Sequence, residues 1–235
     1  VKAPLKTLAD LKGQNVNLVE LSVSHYLLAR ALDSIKLTEK DIKVVNTSDA
    51  DIVAAWAAPD LAALVTWNPQ LSVIKSQPNA TMVFDSSRVP GEIIDLLVVN
   101  SQVIKENPKL AKALAGAWYE AMHIMSANNE AGVKARESMA KASATDLAGF
   151  DSQLSTTRMF YDAKDAVAFA RSEDLLRTMD YIRKFAFEHG LLGEGAKTID
   201  AVGMSFPGGK TLGNAKNIKL RFDDTVMETA AGGKL

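Results

Sequence analysis

The sequence predicts an α/β fold, a region of βαβ units followed by a mainly helical region. Two observations predict it. Between residues 15 and 85, short apolar runs alternate with helical patterns, the mark of strands on a mainly parallel sheet joined by crossover helices. Beyond residue 100 the apolar residues recur at helical spacing over much longer stretches. At 235 residues the chain is long enough for one large domain or two lobes of ordinary size. The expected boundary lies at residue 92, between an α/β portion 1–92 and a portion 93–235.

The elements follow in order. "NVNLV" (15–19) reads as a buried strand. The helix from Val23 to Ile35 carries Leu28, Ala31, Leu32 and Ile35 at i, i+3, i+4, i+7, one buried face. "IKVV" (42–45) is the second strand, a helix passes through Ile52 and Trp56, and "AALVTW" (62–67) is the third strand. A short helix follows Pro69, and "TMVF" (81–84) predicts a fourth strand. "IIDLLVV" (93–99) is apolar almost throughout, which predicts a further, buried strand closing this region. Asn107 before Pro108 is an N-cap and first-turn signature, with Leu110, Leu114, Ala117, Trp118, Ala121 and Met125 as the expected buried stripe. Residues 128–165 read as helical with weaker periodicity. Ser172, with Glu173 and Asp174 in the first turn, opens a helix through Leu175, Met179, Ile182 and Phe185 that stops at Gly190 behind His189. "FPGGKTLG" (206–213) is turn chemistry, and Ile218, Leu220 and Phe222 alternate with Lys219 and Arg221 as in a half-exposed strand.

Composition excludes several functions. The 27 basic and 28 acidic residues leave a formal charge of -1, so no polyelectrolyte partner is indicated and nucleic acid is not expected. There is no cysteine, which rules out thiol catalysis, disulfides and thiolate metal sites. No apolar run is long enough to span a membrane, and no cleavable signal peptide is visible. Because the first residue is Val1, the chain reads as a processed or trimmed product whose start lies upstream.

The segment "NLVELSVSHYLLARAL" (17–32) places Glu20, Ser22, Ser24 and His25 where the first strand hands over to its helix. In open α/β sheets, ligands bind beyond the carboxyl ends of the strands. The other expected strand ends are also polar: Asn46, Thr47 and Ser48 after the second, Trp67 and Asn68 after the third, Asp85, Ser86 and Ser87 after the fourth. Either serine alone reads first as a helix cap. Caps need one small polar residue per helix, however, and an indole, two carboxylates, an amide and several hydroxyls on one edge suit a pocket for a small polar molecule. Catalytic readings are weaker. His25, His123 and His189 are too scattered in sequence to read as a metal set, and neither a G-x-S-x-G nucleophile motif nor a phosphate-cradling glycine loop occurs. Neither a cofactor nor a metal is expected.

"LADLKGQNV", "SVSHYLLARAL", "AALVTWNP" and "VFDSS", in that order, resemble the second-lobe region of substrate-binding proteins of ABC importers in the nitrate, sulfonate, taurine and thiamine-precursor group. "LLVVNSQVIKENPKLAKAL" resembles the segment in which such proteins return to their first lobe. "FAFEHGLLGEG", "VGMSFPGGKTLGNAKNIKLRFDD" and "AAGGKL" resemble the subgroup encoded beside urea carboxylases. The resemblance implies a type II periplasmic-binding-protein-like fold, with residues 1–92 as second lobe and 93–235 as the carboxyl-terminal part of the first. It implies a receptor on the periplasmic or extracellular face of the cytoplasmic membrane that delivers a small solute to an ABC transporter permease. The implied ligand contacts are Glu20, Ser22, Ser24, His25, Trp67 and Asn68, beside which the strand-end carboxylate Asp85 stands as a further candidate. Family members carry an amino-terminal segment that builds most of the first lobe. The expectation is therefore half a cleft, weak solute binding and self-association of the isolated chain.

The carboxylates Glu20, Asp85 and Glu92 make the expected cleft rich in acceptors. A carboxylate holds two N–H groups of a planar donor side by side, and Trp67 offers a ring face to a cation. Urea, guanidine or a similar small nitrogen compound is the expected solute. Two other classes use the same architecture, an enzyme of thiamine-pyrimidine synthesis and the effector-sensing domain of a transcription regulator. A non-enzymatic binding role is the leading reading.

Overall fold

A computed structural model describes residues 1–234. The chain divides into two units, Val1–Ile93 and Ile94–Leu235.

In the first unit, β1 (Asn15–Leu18) leads into α1 (Val23–Ser34), followed by β2 (Lys43–Asn46), α2 (Ile52–Ala55), β3 (Ala63–Leu64) and α3 (Gln70–Lys75). The three strands form one parallel sheet in the order β2-β1-β3, with Asn15 opposite Lys43 and Val16 opposite Ala63. Alternation along β1 sends Val16 and Leu18 into the core, where they pack with Leu11, Leu28, Leu32 and Ala63. Full burial of a leucine side chain is worth roughly 1.5–3 kcal/mol, so Leu18, Leu28 and Leu32 are the main fasteners between α1 and the sheet. On the other face, Asn17 Nδ2 donates to Thr47 Oγ1 at 3.0 Å and ties β1 to the end of β2. A smaller core joins Trp56, Leu61 and Ile74. The Trp56 indole N–H donates to Asn79, and the Lys2 ammonium donates to the carbonyls of Trp56 and Ala58.

Two expected strands do not form. "TMVF" joins no ladder, and its surroundings offer only an isolated antiparallel bridge between Lys2 and Ala80. "IIDLLVV" is likewise irregular, with Leu97 and Val98 58% and 70% exposed. An apolar run records a need for burial, whereas a strand also needs a neighbour for its N–H and C=O groups. No described strand lies alongside either run.

The second unit is mostly helical: α4 (Ser101–Glu106), α5 (Pro108–Ser126), α6 (Glu130–Ala142), α7 (Leu147–Ser155), α8 (Ala163–Ala170) and α9 (Glu173–Glu188). The side chains of Asn129, Asp146, Asp162 and Ser172 each accept a backbone N–H at the start of the helix that follows. Ser172, Leu175, Met179 and Phe185 take their expected places, and Gly190 ends α9 at a φ of 72°, left-handed backbone that suits glycine. The expected stripe of α5 holds in part, with Leu110, Leu114 and Ala121 half-buried. Met122 and Met125 are buried, whereas Ala117 and Trp118 are exposed, because a helix apolar on several sides does not declare one face by periodicity. Asn107 precedes Pro108 as expected, but its side chain makes no capping bond.

A second small sheet, β4 (Gly203–Ser205), β5 (Thr211–Gly213) and β6 (Ile218–Arg221), has the order β5-β4-β6 and precedes α10 (Thr225–Ala231). Its core combines Leu175, Met179 and Phe206, with Phe206 stacked on Phe222 at 5.0 Å. β6 alternates as predicted, with Lys219 and Arg221 exposed.

Candidate functional site

The strand order of the first sheet creates a switch point. From β1 the chain crosses to β2 on one side, and from β2 it passes back beyond β1 to lay β3 on the other, so the direction of winding reverses at β1. The crevice of such a sheet opens between the carboxyl ends of β1 and β3. Two loops border it, Val19–Ser22 after β1 and Val65–Pro69 after β3, and they carry Glu20 and Ser22 on one side, Trp67 and Asn68 on the other.

Short local bonds fix the first loop. The Glu20 N–H donates to Asn46 Oδ1 at 3.1 Å, so the end of β2 holds the loop from outside. Leu21 adopts a φ of 59°. A bulky residue in left-handed backbone costs about 1–2 kcal/mol, and strain of this kind persists only where the surroundings hold it. The holder is His25, whose Nδ1 accepts the Leu21 N–H at 3.1 Å. Ser22 Oγ donates to the Val19 carbonyl at 2.6 Å and accepts the Ser24 N–H at 3.1 Å, which makes Ser22 the N-cap of α1. The Ser22 and Val23 N–H groups make no hydrogen bond among the described residues. They stand at the positive end of a twelve-residue helix.

Each expected site residue now has a place. Glu20 is exposed at the rim, Ser22 is half-buried, and Ser24 and His25 are buried in the first turn of α1. Trp67 and Asn68 are half-buried; the Trp67 carbonyl accepts the Leu71 N–H, and Asn68 Oδ1 accepts the Ser72 hydroxyl at 2.8 Å. Asp85 departs from expectation. With no strand before it, its carboxylate accepts both the N–H and the hydroxyl of Ser87 and caps the turn Ser86–Arg88. His123 is exposed on α5, and His189 ends α9 stacked on Phe185.

Sequence reading missed two contributors: Glu39 lies 2.6 Å from His25 Nε2, and Asp49 accepts from Gln70 at 2.9 Å, joining the loop after β2 to the start of α3. Asn46, expected as a polar strand end, anchors the Glu20 N–H. Glu39 sits in a separate turn, Glu39–Asp41, and nothing in its local sequence points to His25.

One turn further along α1, Glu92 is buried and receives the Tyr26 hydroxyl at 2.5 Å and the Arg30 fork at 2.7 and 3.1 Å. Burial, then the Glu92 carboxylate, push the Tyr26 hydroxyl far above the ordinary phenol value. Hydrogen bonding to Glu92 holds the Arg30 guanidinium above its own.

The first unit is thus an α/β arrangement whose sheet has a switch point with polar strand ends. The chain belongs to the NMT1/THI5-like family, whose model matches residues 1–131. It is 25% identical over 144 residues to the taurine-binding periplasmic protein of Escherichia coli K12, a match covering 60% of this chain and 44% of that protein. Its fold matches the periplasmic aliphatic sulphonate binding protein SsuA of Escherichia coli, with a TM-score of 0.63, 20% identity, and coverage of 80% of this chain and 62% of that one. The alkanesulfonate-binding protein SsuA of Xanthomonas axonopodis pv. citri, bound to MOPS, matches with a TM-score of 0.61 and 18% identity over 82% of this chain and 63% of that one. The fold is thus that of periplasmic sulfonate-binding proteins, and the chain spans less than half of the curated relative it matches and under two thirds of the solved ones.

Proposed function

We propose that this chain is part of the solute-binding component of an ABC importer, working outside the cytoplasmic membrane and passing a small polar solute to a membrane permease. The observation that supports this reading is the switch point between β1 and β3 in a chain of this family, with Glu20 and Ser22 in the loop after one strand and Trp67 and Asn68 in the loop after the other. The relatives are named for binding, not for catalysis, and this favours a receptor over an enzyme of thiamine-pyrimidine synthesis or a regulator's sensor.

The solute class follows from the mixture of groups. Backbone N–H groups at a helix start attract an anionic head, and the names of the relatives point to sulfonates. Glu20 beside them repels a simple anion and attracts an N–H donor. An aminosulfonate of the taurine kind satisfies both. A second reading rests on Glu20 with Trp67: the carboxylate pairs with guanidine or urea and the indole covers the planar cation.

Groups from one lobe leave a solute partly hydrated, so affinity in this chain is weak and the assay must reach millimolar solute. An NMR titration with taurine, ethanesulfonate, guanidinium and urea discriminates. Taurine is expected to shift the amides of Glu20–Ser24 and Trp67 at lower concentration than ethanesulfonate. Guanidinium binding without taurine binding selects the second reading, and no shift at these amides with any of the four removes the site assignment.

A further inference from the structure

We propose that Glu39 and His25 form a positioning pair that sets the left-handed turn at Leu21 and so aims the loop carrying Glu20 and Ser22. The inference deepens the proposed solute site and rests on it for its functional meaning.

The protonation of His25 follows from its partners. A backbone N–H can only donate, so the ring nitrogen that receives the Leu21 N–H, Nδ1, carries a lone pair. The neutral ring therefore holds its proton on Nε2. That nitrogen faces Glu39 Oε1 at 2.6 Å, where a bare lone pair would meet a carboxylate and a proton is stabilised instead. Glu39 thus selects the tautomer in which Nδ1 is free to accept. His25 is buried in the first turn of α1, and Glu39 is half-buried in the turn Glu39–Asp41. The turn is itself closed by Asp41, whose carboxylate accepts the Thr38 N–H at 2.9 Å. The carboxylate is therefore presented from a fixed support.

Leu21 is 51% exposed, so burial offsets the cost of its left-handed backbone only in part. What the conformation does is turn the chain between Glu20, tied to Asn46, and Ser22, the cap of α1. With the histidine in the other tautomer, Nδ1–H and the Leu21 N–H oppose each other, and the Leu21 N–H loses the side-chain acceptor that holds it. Glu39 acts on the loop through His25.

Nitrogen-15 NMR on the full chain reads the tautomer directly. His25 is expected as the Nε2–H form, with the Leu21 amide protected from exchange. In Glu39→Ala the Nε2–H fraction falls and Leu21 amide exchange rises at least tenfold, while the core amides of Leu28 and Leu32 keep their protection. Glu39→Gln retains an oxygen acceptor and restores most of the effect. The taurine concentration needed for half-saturation is expected to rise about tenfold in Glu39→Ala and much less in Glu39→Gln. An Nδ1–H tautomer in the unmodified chain overturns the pair, whatever the variants do. So does an unchanged Leu21 amide in Glu39→Ala, or loss of protection at Leu28 and Leu32 to the same degree as at Leu21. Absence of solute binding by the unmodified chain, with the tautomer and the Leu21 protection as described, counts against the proposed function and not against the pair.

Discussion

The Tyr26 hydroxyl donates to Glu92 Oε2 at 2.5 Å, joining the second turn of α1 to the last residues of the first unit. Arg30 completes the arrangement with two further bonds to the same carboxylate. Glu92 is buried, and both of its carboxylate oxygens accept hydrogen bonds. Arg30→Met is expected to cost about 3–5 kcal/mol by leaving a buried charge without its counterion, and Tyr26→Phe about 1–2 kcal/mol. The double replacement Arg30→Met with Glu92→Leu should recover much of the loss. Urea denaturation followed by a probe in the first unit measures all three, and a double variant no better than Arg30→Met would show that the carboxylate is not the source of the penalty.

Alkaline pH should weaken the same unit. The Tyr26 hydroxyl is held protonated in the folded chain, so its folded value lies above the ordinary 10.0. Above that pH the unfolded chain releases the proton and the folded chain keeps it. Stability due to this group is therefore complete below pH 10 and is lost as pH rises, at about 1.4 kcal/mol per unit. Tyr26→Phe should flatten this limb of the stability curve. A phenolate absorbance titration in which every tyrosine ionises together would contradict it.

Ser22 and Glu20 should separate stability from binding. Ser22 caps α1, so Ser22→Ala is expected to lower stability by about 1 kcal/mol. The Glu20 carboxylate is exposed, and the loop is held through the Glu20 backbone. Glu20→Gln should leave the melting temperature within a degree or so while narrowing the preference for taurine over ethanesulfonate. A large loss of stability in Glu20→Gln would assign that side chain a structural role.

Gly132 marks a close approach at the start of α6. A Cβ built there would lie 2.0 Å from the Ala127 carbonyl oxygen and 2.9 Å from that of Ile124, both backbone atoms at the end of α5. Gly132→Ala should therefore destabilise the second unit by more than 1 kcal/mol, against the usual gain from alanine in a helix. Calorimetry showing a higher melting temperature would mean that the α5–α6 corner yields freely.

The Leu96–Val98 run should drive association. These side chains are exposed and adjacent, and apolar patches of this kind attract partners. Sedimentation at rising concentration should show self-association of the chain, reduced by Leu97→Lys. A monomer at all concentrations would set the idea aside.

By itself, the sequence determined the elements whose signals are local. The period of Leu28, Ala31 and Leu32 marked the buried face of α1, Ser172 and Gly190 bounded α9, and β6 followed its alternation, because turn geometry, capping and pleat depend on neighbours a few residues away. The polar ends of β1 and β3 were readable for the same reason. Only the tertiary structure decided which apolar runs find a strand partner, so "TMVF" and "IIDLLVV" form no strand and Asp85 caps a turn. It alone revealed that Glu39 meets His25, that Leu21 takes a left-handed turn, and that Glu92 lies buried against Tyr26 and Arg30. Pairing and ion contact join residues far apart in the chain, and their free energy depends on a distance that exists only once the chain has folded.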